Sequence, residues 1–291
     1  MEFIHAVLNY GFMQKALITA VMVGMICGVI GCFIILRGMA LMGDAISHAV
    51  LPGVAISYML GINFFIGAVI TGVLTAIGIG FVSQNSRIKH DVSIGIMFTF
   101  AFAIGIILIT MMKSSTDLYH ILFGNVLAVR PSEMWFTLII GVIVVGCIYL
   151  FYKELLISTF DATMSAAYGL PVRFIHYLLM TLLTMVTVAS LQTVGIILVV
   201  AMLITPAATA YLLTDRLWVM LYLSALFGML AAVGGLYFSY VYNLASGATI
   251  VVTSTVMFFL VFVFSPKQGM LMKSIRKRQQ RERVRGQALN Q

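Results

Sequence analysis

Two side chains of this sequence could hold a metal ion from within an otherwise apolar segment. Asp44 and His48 stand four residues apart in Arg37-Gly-Met-Ala-Leu-Met-Gly-Asp44-Ala-Ile-Ser-His48-Ala-Val-Leu-Pro52-Gly53. On a helix that spacing puts the carboxylate and the imidazole on one face, about 5–6 Å apart at Cβ. One oxygen and one nitrogen donor together suit a divalent first-row metal, and no thiolate run lies nearby to favour a softer ion. The plainer alternative is a buried pair whose members neutralise each other and fix packing. Pro52 lacks an N–H, so the carbonyl of His48 loses its usual donor and the helix is expected to bend just beyond the pair. Pro206, in Leu203-Ile-Thr-Pro206-Ala, deprives the carbonyl of Met202 in the same way. Transporters build ion sites beside such broken helices, which makes Pro52 and Pro206 candidate break or gate positions.

The elements that must position these residues are membrane helices. The chain has 291 residues, 62% of them hydrophobic and 9% charged, with a mean hydropathy of +1.10. A soluble domain carries about 25% charged residues, so this one could not cover a water-facing surface. Barrel strands alternate apolar and polar positions, whereas stretches such as 94–112 are apolar on all sides. The fold class is therefore all-α, a polytopic bundle of eight or nine transmembrane helices. Apolar spans of about 20 residues fall at 14–36, 41–60, 63–83, 92–112, 134–152, 174–192, 194–213, 217–241 and 248–264. Only Gln192 and Thr193 separate the pair within 174–213, which reads either as two crossings or as one helix with a broken segment.

Charge sets the expected orientation. With nine spans and an inside tail, fourteen of the seventeen lysines and arginines fall on the inside, leaving Lys15, Lys113 and Arg130 outside. That bias puts the N-terminus out and the C-terminus in the cytoplasm. No signal-peptide pattern precedes the first span, which is expected to be retained. Residues 1–268 read as the transmembrane domain and 269–291 as a basic cytoplasmic tail. The tail's cations, from Lys273 to Arg285, suit anionic lipid headgroups rather than nucleic acid. Cys27, Cys32 and Cys147 lie in apolar runs without CxxC spacing and read as packing residues. Gly24, Gly28 and Gly31 read as sites of close helix contact.

Apart from Asp44, the acids fit span boundaries or loops. His90 with Asp91 reads as a solvated loop pair, and His120 as a headgroup-region residue or outer metal relay. No nucleophile elbow, phosphate loop or HExxH motif occurs, so the chain is not expected to be an enzyme, and any ATP coupling must come from a partner. Two connections are long: 113–133 outside, and 153–173 inside, which reads as short helix, Gly, Pro and then the next span.

The stretch from Arg37 to Ala55 closely resembles the second membrane segment of the manganese/zinc/chelated-iron family of bacterial ABC importer permeases. Leu122-Phe-Gly-Asn-Val-Leu-Ala128 resembles that family's outer-loop signature. Gln192 through Pro206-Ala-Ala resembles its later core helix. The resemblance covers most of the chain and implies a type II-like importer permease, multi-pass in the bacterial cell membrane. It also implies a dimer of permeases, two cytosolic ATP-binding subunits, and an extracytoplasmic metal-binding protein that delivers the ion. The family's metal-binding aspartate and histidine map onto Asp44 and His48; two copies on a two-fold axis could converge on one ion. The segment 153–173 resembles the family's coupling element, with Phe160, Asp161, Ser165 and Gly169 matching its pattern. Ala162 and Thr163 stand where a glutamate is common, and Ser165 where alanine is usual.

No cofactor is expected to be bound permanently. The cargo implied is Mn²⁺, because Ala40-Leu-Met-Gly-Asp-Ala and His48-Ala-Val-Leu-Pro match the manganese and iron branch better than the zinc branch. Zn²⁺ or Fe²⁺ import by the same kind of permease is the alternative. A reading of another class is a standalone carrier or channel that uses Asp44 as its ion or proton site. The coupling-like segment argues against it.

Overall fold

The computed structural model describes residues 2–111 and 126–265. A short helix α1 (Glu2–Asn9) leads into α2 (Gly11–Leu36). Then come α3 (Leu41–Ala49), α4 (Leu51–Leu60), α5 (Phe64–Asn85) and α6 (His90–Met111). After a 3₁₀ turn at Val126–Ala128 follow α7 (Pro131–Leu150), α8 (Tyr152–Phe160) and α9 (Ala162–Ala167). The last four are α10 (Val172–Val194), α11 (Ile196–Tyr211), α12 (Leu217–Tyr242) and α13 (Ser246–Phe264). Seven of these helices are long and apolar enough to cross a membrane. The α3–α4 pair and the 16-residue α11 cover the two remaining expected spans, so every expected span has a helical counterpart.

Side-chain contacts fix the directions. Gly24 meets Gly228, and the Ser224 hydroxyl donates to the carbonyl of Gly28 at 2.7 Å, so α12 runs antiparallel to α2. A Cβ at Gly24 would lie 2.6 Å from the carbonyl oxygen of Gly228, an approach that only glycine allows. Gly72 faces Thr184 and Gly80 faces Tyr177, which sets α10 antiparallel to α5. Gly31 lies against Leu203 and Ala207, while Ser265 after α13 donates to the carbonyl of Leu212 at 2.7 Å. Those contacts make α11 parallel to α2, with its C-terminus at the end of the bundle that carries Arg37.

The chain therefore turns back within 174–213 and passes twice. The reversal sits at Gly195, with φ 85° and ψ 165°. That backbone region is open essentially to glycine alone. It lies beyond Gln192 and Thr193, which remain in α10. Pro206 lies within α11. α11 continues helical through it, and Pro206 is buried where this helix packs on α2, so tertiary packing holds the turn that the proline weakens.

The core is built from buried faces of α2, α10, α11 and α12, including Ile30, Phe33, Leu179, Leu183, Val199 and Met202. Cys27 and Cys32 are buried free thiols, as their setting implied. One element gave no sequence signal: α1 packs Phe3 edge-on against Tyr237 and Tyr240 at 5.4 and 5.8 Å, capping the end opposite Arg37.

Candidate metal site

The helix that carries Asp44 and His48 stops one residue after the imidazole. α3 ends at Ala49, Val50 is the joint, and α4 restarts at Leu51 with Pro52 in its first turn. Proline suits that position because the N–H it lacks would have had no partner in the new helix. Val50 keeps helical torsions, φ −78° and ψ −14°, with its N–H bonded to Ile46 and its carbonyl accepting from Val54, so the bend expected from Pro52 coincides with a one-residue interruption of the helix. α3 itself is held by buried Met42 and Ile46 and by Gly43, which lies against Leu203 of α11.

At the site, His48 Nε2 lies 3.6 Å from Asp44 Oδ1. The His48 side chain is 25% exposed and that of Asp44 49%, on a bundle that exposes many large apolar side chains. A half-open carboxylate among hydrocarbon is costly unless a partner or water faces it. His48 Nδ1 is buried without a hydrogen-bond partner. The ring is held instead by Phe98 and Phe102 of α6, with centroids at 5.6 and 5.5 Å. The sequence shows these two phenylalanines only as an i, i+4 pair; which helix they face is a tertiary fact. Among the described residues no third His, Cys, Asp or Glu joins the pair.

One other feature departs from the sequence reading, and three lie outside the described residues. His90 is not a loop residue: it opens α6, lies part-buried with Nδ1 3.0 Å from Ser83 Oγ, and faces His176 with 6.4 Å between ring centroids. His120, residues 122–125 of the outer-loop signature, and the basic tail from Lys273 lie outside the described residues. Val126–Ala128, the remainder of that signature, form the 3₁₀ turn.

The segment between α7 and α10 folds as two short helices. Asp161 caps α9: its Oδ1 accepts from the Thr163 and Met164 amides at 2.9 and 2.8 Å and from the Thr163 hydroxyl. The Met164 amide foremost, then the Thr163 hydroxyl, hold the Asp161 carboxyl below the usual carboxylate range. Gly169, at φ 77°, ends α9 in a left-handed turn before Pro171. Phe160 is exposed, and so are Met164 and Tyr168, four and eight residues on. Ser165 is fully buried, although the residues on either side of it in α9 are exposed. Of the four residues matched to a coupling element, Phe160 and Asp161 are therefore on the open side, Gly169 ends the helix, and Ser165 packs inward.

Arg37 joins this segment to the C-terminus of α2. Its guanidinium donates to Thr159 Oγ1 at 3.2 Å and to Ser158 Oγ at 2.8 Å, while its backbone closes α2. Burial lowers it to about 10, which leaves it charged at neutral pH.

With this arrangement in view, the comparisons are decisive for class. The profile of the ABC 3 transport family matches residues 9–265, and the chain belongs to that family: it is a multi-pass membrane permease. It is 66% identical over 271 residues to the manganese transport system membrane protein MntC of Listeria innocua, covering 93% of this chain and 97% of that one. It is 53% identical over 275 residues to the manganese import system permease protein ScaB of Streptococcus gordonii, covering 94% and 99%. The structure of PsaBC from Streptococcus pneumoniae in complex with Fab superposes with a TM-score of 0.83 at 54% identity, over 92% of this chain and 96% of that one. An inward-facing putative metal-chelate type ABC transporter shares the fold at 15% identity, with a TM-score of 0.68.

Proposed function

We propose that this chain is the permease subunit of an ATP-driven manganese importer, in which Asp44 and His48 supply the ligands at the constriction. The observation that carries the reading is the pair itself: a carboxylate and an imidazole 3.6 Å apart, half open, beside a broken helix in an apolar bundle. Two donors do not complete a shell for Mn²⁺, which favours oxygen-rich octahedral coordination. A second copy of the permease, meeting this one across α3 and α6, would bring two more, with water filling the rest. The names of the MntC and ScaB relatives support manganese as the cargo. At most nitrogen/oxygen sites Zn²⁺ binds more tightly than Mn²⁺, so preference for manganese must come from geometry, delivery or availability.

The exposed side chains of Phe160, Met164 and Tyr168 form the docking face for a separate cytosolic ATPase, with Asp161 and Gly169 shaping the short helix between Phe160 and Tyr168. Ser165 seats that helix on the permease. The bias of cations toward the Arg37 end makes that end cytoplasmic and the N-terminus external, and the basic tail lies on the inner headgroups. Ions are handed over at the outer end by an extracytoplasmic binding protein, held between Asp44 and His48, and released inward when the ATPases close.

The test is manganese accumulation in cells that lack their own importer, supplied with the complete transporter. Wild type should restore accumulation. Asp44→Ala and His48→Ala should abolish it while the permease still accumulates and copurifies with its ATPase. Uptake retained by either variant would show that the pair only fixes packing.

A further inference from the structure

Ligating histidines are ordinarily aimed by a hydrogen bond from the ring nitrogen that does not face the metal. His48 has no such support: Nδ1 is buried and unpartnered, and only Nε2 points to Asp44. What surrounds the ring is aromatic. Phe102 meets it edge-on, at an interplanar angle of 85°, and Phe98 is tilted at 54°. The two phenylalanines stand one helical turn apart and pack on each other at 5.9 Å, forming one continuous wall on α6. Behind the wall, Gly105 fits against Leu51 and Pro52, so α6 follows the bend of the metal helix closely.

We infer that Phe98 and Phe102 are specificity-determining positioning residues, which aim the His48 imidazole by packing and so impose a fixed ligand geometry on the transported ion; this rests on the proposed role of Asp44 and His48. A staggered side chain with room on every side can swing among rotamers about χ1 and turn broadly about χ2. A loose His48 adapts to whichever ion arrives, and the intrinsic order then applies, with Zn²⁺ above Mn²⁺. A walled His48 cannot draw in to make a compact tetrahedral site, and an ion that accepts a more open shell is favoured. The aromatic wall stands where a hydrogen-bonding partner would otherwise do the aiming, and its apolar faces also leave no competing donor for the ion.

The experiment measures manganese uptake by the complete transporter in cells, with Zn²⁺ as competitor, and reports the ratio of the zinc concentration that halves uptake to the manganese KM. That ratio does not depend on how much permease is made. Phe102→Ala and Phe98→Ala should lower it about tenfold, the scale of effect seen when the support of a metal ligand is removed. Phe102→Val, a smaller excision, should shift it in the same direction and decides the matter if the alanine variants do not accumulate. Phe102→Leu, which keeps the bulk beside His48, should stay near the wild-type ratio. An unchanged ratio in the alanine or valine variants, with uptake falling only in step with protein level, would overturn the inference and leave the metal site standing. Absence of manganese uptake by wild type would overturn both.

Discussion

Gly105 offers the sharpest test of how α6 is seated against the broken metal helix. A methyl group there would lie 2.8 Å from Leu51 Cβ and 3.1 Å from both Cδ and N of Pro52. None of these is the free end of a flexible side chain, so the contact can be relieved only by separating the helices by about 1 Å, in an interior packed too tightly to yield without cost. Overpacking of this kind costs about 1–3 kcal/mol. Replacing glycine by alanine inside a helix returns roughly 0.5–1 kcal/mol, so Gly105→Ala should be a net loss. Gly95 on the same helix has nothing within 4 Å of its added Cβ, and Gly95→Ala should keep only the gain. The two variants should therefore differ by about 1–3 kcal/mol in stability, with opposite signs relative to wild type. The assay is thermal unfolding of the purified transporter in detergent, paired with manganese uptake. Because Phe102 lies three residues before Gly105, and His48 three before Leu51, the same displacement loosens the wall around the imidazole, and uptake by Gly105→Ala should fall. If Gly105→Ala matches Gly95→Ala in both measurements, α6 is not seated on the Pro52 bend as described.

Two further substitutions probe the joints. Gly195→Ala places a side chain at φ 85°, ψ 165°, a conformation that costs of order 1–3 kcal/mol for other residues; folded yield should drop, while Gly146→Ala on α7, with open space around it, should not change it. Arg37→Ala removes both hydrogen bonds to Ser158 and Thr159, and ATP hydrolysis by the associated ATPase should continue while manganese uptake per ATP falls; uptake and hydrolysis that stay in proportion would show that Arg37 carries no coupling.

Much of the architecture was legible because hydrocarbon imposes it. Apolar runs of helical length must satisfy their backbone groups internally, so each of the nine runs could be drawn from composition alone. The Asp44–His48 pair was legible for the complementary reason, that ionisable groups are expensive at membrane depth and stand out where they occur. The bend at Pro52 followed from a missing N–H. Gly24, Gly28 and Gly31 also read correctly, since each lies against a neighbouring helix.

Other features depended on which helix faces which. Pro52 and Pro206 carry the same covalent defect, yet the helix is interrupted for one residue beside the first and runs on through the second, where α11 is pressed against α2. The hydropathy of 174–213 is nearly continuous, so only the backbone at Gly195 decided that the chain turns back. His90 sat beside a charged neighbour and looked solvated, but α5 and α10 supply Ser83 and His176 beside it. Phe98 and Phe102 were two among 20 phenylalanines until α6 was laid against α3. Local chemistry and the cost of burying polar groups in lipid determined the class of protein, its spans and its candidate ligands. The surroundings of those two side chains came from contacts between residues far apart in the chain, which no local pattern encodes.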